Sequence, residues 1–189
     1  ISFRYLRGSR ELGIYIEEEG TQDLTPVDYV ARAIIYLSRQ SSSLGKTFHL
    51  TNPHPVPFSQ FGKYISSYSG HKGKKESSAN LLKPLRYGPW RSHFVEKFQA
   101  RKQFEEERRK KGEKEAHDED GNQDCALFGL FPYFSESYGD YINGKYPQTV
   151  FGAENTLAGL KGTDIICPTI NEELIHTYLA YLDRKGLIP

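Results

Sequence analysis

The sequence predicts a mixed α/β chain, mostly helical, in which the edge of an α/β sheet leads into a helical region. Three observations predict it. A helix, a strand and a second helix follow one another with short connections over residues 25–70. Trp90, Phe94, Phe98 and Phe104 form an apolar stripe on a long helix. A capped amphipathic helix closes the chain. With 189 residues there is room for one domain with a real core, or one and a half small ones.

Residues 1–13 read as the end of a helix, with Phe3 and Leu6 on a shared face and Gly13 as the stop. Residues 14–24, which hold Glu17, Glu18, Glu19 and Gly20, read as a loop or short strand. The next helix spans 25–39. Thr25 is a suitable N-cap, Pro26 suits the first helical position, and Asp28 completes a capping box at the positive end of the helix dipole. Val27, Val30, Ile34 and Leu37 give its apolar face. Ser41 to Gly45 is a turn, and Lys46 to Thr51 reads as a strand with Phe48 and Leu50 pointing one way and His49 the other. Pro53, Pro55 and Pro57 impose an extended loop. Phe58, Phe61, Ile65 and Tyr68 then mark a helix face that ends at Gly70.

Residues 71–88 carry Gly, Lys and Ser and read as a loop. The long aromatic-striped helix follows. Glu105, Glu106 and Glu107 precede Arg109, Lys110 and Lys111 by four, the favourable order for pairs contributing about 0.2–0.5 kcal/mol each. From Lys110 to Asp120 almost nothing can be buried, so a solvated helix end or mobile loop is expected. Ala126 to Phe134 is a second apolar block, and 135–150 is rich in Tyr and Gly. Thr156 to Leu160 is a short helical turn stopped by Gly162. Thr169 and Glu172 suit a capping box for the last helix, with Leu174, Tyr178 and Leu182 as its stripe, Ile175 and Leu179 beside it, and Gly186 at its end.

Composition narrows the function. The apolar fraction is 37%, below the roughly 45–50% of globular proteins, while aromatics reach 13%, so Phe and Tyr are expected to build the core. A net charge of +1 gives no support for a nucleic-acid surface, which would show clustered positive charge. No run approaches the roughly 18 apolar residues of a membrane span. Cys125 and Cys167 are far apart and the six histidines are scattered, so neither a disulfide framework nor a metal site is expected, and a reduced, cytoplasmic compartment is. The chain starts at Ile1 and contains no Met, which suggests a piece of something longer.

Three segments resemble thioester reductase domains. They are Asp23-Leu-Thr-Pro-Val-Asp-Tyr-Val-Ala-Arg-Ala-Ile-Ile-Tyr-Leu-Ser38, Lys46-Thr-Phe-His-Leu-Thr-Asn-Pro53, and Phe151-Gly-Ala-Glu-Asn-Thr156 followed by Gly162-Thr-Asp-Ile-Ile-Cys-Pro168 and the closing helix. Such domains end non-ribosomal peptide and polyketide synthases and occur in aminoadipate reductase and carboxylic acid reductase, within the extended short-chain dehydrogenase/reductase superfamily. Residues 1–55 and 146–189 carry the likeness; 71–145 match only in general character. The resemblance implies the C-terminal, substrate-side part of such a domain. Residues 1–55 would be a remnant of the Rossmann side. Residues 56–189 would be a helical substrate-binding subdomain with a charged segment at 105–124.

The family's nucleotide-binding half is not found in this sequence. No G-x-x-G-x-x-G or G-x-G-x-x-G turn follows a strand, and Gly152, Gly159 and Gly162 have the wrong spacing. Tyr141-Ile-Asn-Gly-Lys145 matches Tyr-x-x-x-Lys, but Gly144 and Pro147 make poor helix context, so it reads as coincidence. No catalytic or cofactor-binding residue is therefore assigned here; the catalytic dyad and the NADPH site of the complete enzyme are expected upstream. The implied activity is reductive release of a thioester, held on a carrier protein's phosphopantetheine arm, as aldehyde or alcohol. Trp90, Phe94, Phe98, Phe128, Phe131, Tyr133 and Phe134 are the candidate channel residues. Thr25, Pro26, Asp28, Asn52, Pro53, Asn155, Thr156, Cys167 and Pro168 carry the structural motifs. The alternatives are a stand-alone carrier-docking or acyl-binding module, or a part of another extended short-chain dehydrogenase, such as a fatty acyl-CoA reductase or sugar epimerase. The latter generally lack the F-x-x-x-N-T…C-P ending.

Overall fold

The computed structural model describes residues 2–70, 81–111, 125–146 and 151–188. Helix α1 (Ser2–Leu12) ends at Gly13, whose φ of 69° favours a residue without a Cβ. Strand β1 (Ile14–Ile16) follows, buried on both faces. Then come β2 (Thr21–Gln22), α2 (Val27–Leu37), β3 (Val56–Pro57) and α3 (Phe58–Ser66). After 71–80, which lie outside the described residues, β4 (Lys83–Leu85) leads into the 24-residue α4 (Tyr87–Lys110). A 3-10 segment (Phe128–Tyr133), α5 (Glu136–Ile142), α6 (Glu154–Leu160) and α7 (Glu172–Arg184) complete the fold. The architecture is mixed α/β and mostly helical, as expected.

Two short sheets are seen among the described residues. β1 pairs in parallel with β4, and β2 pairs antiparallel with β3. β4 falls in a stretch expected to be loop. Pro84 lies within it, and a parallel partner is distant in sequence, so no local signal marks the strand.

Two cores result. The larger joins α1, β1, α3, α4, the 3-10 segment, α5 and α7, and so draws on both sides of residue 55. The expected face of α3 is correct: Phe58, Phe61, Ile65 and Tyr68 are all buried. Gly62 lets α3 lie directly on β1, since a Cβ there would sit 1.9 Å from the Tyr15 ring. The smaller core holds Tyr29, Ala33 and Leu37 of α2 with Leu160, Ile165 and Cys167, and Phe48 and Leu50 pack on it from one side.

Four local expectations need correction. The buried face of α2 is Tyr29, Ala33 and Leu37, while Val27, Ile34 and Ile35 are exposed. Pro26 takes the N-cap position of α2 and has no side chain to cap it; the Thr25 hydroxyl instead donates to Asp23 Oδ1 at 2.6 Å. The cap of α7 is Asn171, whose Oδ1 accepts from Leu174 N at 2.9 Å, not Thr169. Ile175, Leu179 and Leu182 face inward, and Tyr178 lies at the surface. Finally, Lys46–Thr51 joins no sheet among the described residues. Alternate carbonyls along it are taken by α6 side chains instead: Asn155 Nδ2 donates to Thr47 O and Thr156 Oγ1 to His49 O, each at 2.9 Å. Of the charged segment 105–124, residues to Lys110 are helical, with Arg101 and Glu105 paired at 3.1 Å; 112–124 lie outside the described residues.

The acidic turn after β1 holds the larger core together. Glu18 is buried, and its Oε1 accepts from Tyr87 N at 2.9 Å, at the positive end of α4. Its Oε2 lies 3.1 Å from Arg86 Nη1. Glu18→Ala strands the Tyr87 N–H and is expected to lose roughly 1.5–3 kcal/mol in urea unfolding. Glu18→Gln keeps an acceptor and is expected to recover part of the loss; equal losses for the two variants would show that the hydrogen bond contributes little.

Candidate functional site

The aromatic side chains expected to wall a channel are largely core. Trp90 and Phe94 are 0% exposed and stacked, with centroids 5.3 Å apart. Phe134 meets both edge-on, at 4.8 and 5.6 Å. Phe98 stacks on Phe131 at 4.2 Å and meets Phe128 edge-on at 5.5 Å. Six of the seven candidates thus form one continuous ring network. Tyr133 stands outside it, exposed.

The open apolar space lies elsewhere. A cleft of about 670 Å³ is bounded by Phe3 and Leu6 of α1, the segment Asp23 to Val27, Phe61 of α3, Ile170, and Ile175, Tyr178, Tyr181 and Leu182 of α7. None of the seven channel candidates lines it. Its floor is made by side chains buried in the larger core: Leu6, Phe61, Ile170, Ile175 and Leu182. Its rim is Phe3, Val27, Tyr178 and Tyr181, all exposed. Partial desolvation of its hydroxyl against the cleft raises Tyr178 above the usual phenol range, with the nearby Asp28 carboxylate and Cys167 adding to it. Sequence reasoning missed this site because its residues come from four separate stretches, and each stretch reads as ordinary helix face or loop. The one local signal was Phe3 and Leu6 on a shared face.

The motif residues fix one wall of the cleft. Asn52 is buried, and its Nδ2 donates to Leu24 O at 2.9 Å and Pro168 O at 3.2 Å. Its backbone N–H donates to Asp23 Oδ1 at 2.9 Å, and its own Oδ1 accepts from His54 N. One side chain therefore joins the segment before α2 to the Cys167-Pro168 segment before α7. Pro53 lies exposed beside it, and Asp28 is an exposed acid in the first turn of α2. His49 is exposed on the opposite side from Phe48 and Leu50, with Nδ1 2.9 Å from Gly152 O. Cys125 and Cys167 are free thiols; burial pushes Cys167 up to about 11.

The described residues do not fit a dinucleotide. A phosphate cradle needs glycines and unsatisfied N–H groups after a strand. β1 runs into three carboxylates, Glu17 to Glu19. β4 does run into a helix N-terminus, but the Glu18 carboxylate already sits on it. Tyr141 lies on α5, whereas Lys145 lies beyond its end, past Gly144 at φ 75°, and bonds Asp140 Oδ2 at 2.7 Å. No group of three or more His, Cys, Asp or Glu able to hold a metal is present among the described residues, and no described helix is long and apolar enough to cross a membrane.

No family model matches the chain. A subunit of the linear gramicidin synthase of Brevibacillus parabrevis is 26% identical to it over 186 residues, covering 98% of this chain and 3% of the synthase polypeptide. The crystal structure of the terminal R domain from the myxalamid PKS-NRPS biosynthetic pathway matches with a TM-score of 0.71 and 27% identity, covering 98% of this chain and 38% of that one. The chain is thus similar, over nearly its whole length, to part of a terminal R domain of a PKS-NRPS system, in line with the resemblance carried by the three segments. It spans well under half of that domain's chain and a small fraction of the synthase polypeptide.

The Asn52 junction makes a direct prediction. Asn52→Ala leaves the Leu24 and Pro168 carbonyls short of a donor and is expected to cost about 1–3 kcal/mol in urea unfolding. Amide exchange should rise around 23–27 and 167–170 while α4 stays protected; uniform loss of protection would refute a local role. Cys167 gives a second. With its folded value raised from 9.0 to about 11, the thiol favours the folded state below pH 9, and that contribution disappears as pH rises through 11. A thiol reagent at pH 8 is expected to spare Cys167 in the folded chain and label it in urea; rapid labelling without urea would contradict its burial.

Proposed function

We propose that this chain is the substrate-side portion of an NADPH-dependent thioester reductase, which releases a carrier-bound acyl or peptidyl thioester as aldehyde or alcohol. The observation that carries the reading is the match of 98% of the chain to part of a terminal R domain, combined with an apolar cleft where the segment before α2 meets the larger core. Ligand sites favour such junctions. In this reading NADPH and the residues that handle hydride belong to a part of the reductase outside these 189 residues. That agrees with the poor fit of the described residues to a dinucleotide.

The surface of α2 supports the same reading. Its inner face is buried, yet Ile34 and Ile35 on the outer side are 52% and 55% exposed. A helix apolar on more than one face is normally covered on more than one side. The proposed cover is the nucleotide-binding half, and the proposed partner in turnover is an acyl or peptidyl carrier protein with its phosphopantetheine arm, in the cytoplasm. The chain alone is proposed to reduce nothing.

Two measurements test this. The isolated chain is expected to show no micromolar binding of NADPH by nucleotide fluorescence; such binding would overturn the assignment of the cofactor to another part. Exchange of this region between two reductases of different acyl preference should carry the preference with it. If the preference stays with the catalytic half, the substrate-side role is wrong.

A further inference from the structure

The geometry points to the cleft as a binding site for a neutral acyl chain, gauged for length by its floor; this rests on the substrate-side reading above. The lining restricts what a ligand can be. Its floor is entirely hydrocarbon, from Leu6, Phe61, Ile170, Ile175 and Leu182. Polar groups lie only toward the rim. Two of them, Thr25 Oγ1 and Asp23 Oδ1, are already engaged with each other at 2.6 Å, and Asp23 Oδ1 also accepts from Asn52 N.

A peptidyl chain fits this lining poorly. Each residue entering the cleft would bring an N–H and a C=O, and the floor has no partner for either. Buried without partners, such groups are strongly unfavourable. A methylene chain makes no such demand. Charge narrows the class further. The one charged side chain in the lining is the Asp23 carboxylate, so a ligand ending in a carboxylate meets repulsion while a neutral thioester does not. The volume, about 670 Å³, falls within the roughly 300–1,000 Å³ of small-molecule pockets. The floor side chains belong to the larger core and cannot retreat without disturbing it, so the depth is fixed.

The test uses the 189-residue chain and a series of straight-chain acyl N-acetylcysteamine thioesters of increasing length, displacing an environment-sensitive naphthylamine dye. Affinity is expected to rise about fourfold per added methylene while the chain fills the cleft, then level off when it meets the floor. Leu182→Phe raises the floor and should move the plateau to shorter chains. Val27→Trp changes only an exposed rim position, so folding is not at stake, and it should weaken every length. Ile34→Trp, outside the cleft, should change nothing. Affinity independent of length, or affinities in Val27→Trp equal to those of the unaltered chain at every length, overturn the inference. The two proposals fail separately. A clear plateau together with an acyl preference that ignores the region exchange sinks the substrate-side role and leaves the cleft as an acyl-binding site only. A preference that follows the exchange, with no length dependence in the isolated chain, sinks the acyl gauge alone.

Discussion

The short acidic turn after β1 is the constraint on which the rest of the fold depends. Two helices begin at it. At α4, the Glu18 carboxylate accepts from Tyr87 N; at α3, Gly20 O accepts from Phe58 N and Glu18 O from Ser59 N. Ser59 Oγ adds a bond to Glu19 Oε1 at 3.0 Å. Helix N-termini present unpaired N–H groups and partial positive charge, and both find their acceptors in one short stretch. Because β1 leads directly into that stretch, and β4 runs beside β1 before turning into α4, strand register and helix direction are set together. α3 then carries Phe61 to the cleft floor, and α4 carries Trp90 and Phe94 into the ring network.

Asn52 performs a comparable role for the smaller core. It ties two loops that are far apart in sequence, each leading into a helix. With these loops joined, Pro26 and Val27 face Ile175 and Tyr178 across the cleft. Deep burial makes such a side chain specific, because it is stable only if every donor and acceptor is met. The motif segments that carry the family resemblance are in this sense structural: Asn155 and Thr156 hold the Thr47–His49 backbone, and Asn52 holds the Asp23 and Pro168 loops.

The sequence revealed helices better than it revealed contacts. α3 was legible because Phe58, Phe61, Ile65 and Tyr68 all point into one core at regular spacing. The inner face of α2 was not, because Val27 and Ile34 are as hydrophobic as the residues that are buried, and Tyr29 and Ala33 carry that face without standing out. Caps failed for a similar reason. Thr25-Pro26 and Thr169 satisfy a local rule, but Thr25 bonds Asp23 and Asn171 lies nearer the helix start. β1–β4 pairing joins stretches about seventy residues apart, with proline in one of them, and no local pattern announces it. The cleft escaped for the same reason as the sheet: its walls are assembled by tertiary contacts.

Why most of the candidate aromatics pack on one another, away from the cleft, follows from composition. Apolar residues make up 37% of the chain and the 13% that are aromatic are part of that share, so few aliphatic side chains remain to fill an interior and rings supply much of its area. Rings at Tyr5, Phe58, Tyr87, Trp90, Phe94, Phe134 and Tyr138 form one connected network of stacked, tilted and edge-on contacts. Each contact fixes the orientation of the next, so the network has little freedom to part around a ligand, and opening it would forfeit several pairs worth about 0.5–1.5 kcal/mol each. A binding surface needs the opposite property: side chains already held by a core on one side and uncovered on the other. Leu6, Ile170, Ile175 and Leu182 are placed in this way, backed by the ring-filled core and facing open space. Rigidity on one side of α1 and α7 is therefore what leaves a stable void on the other.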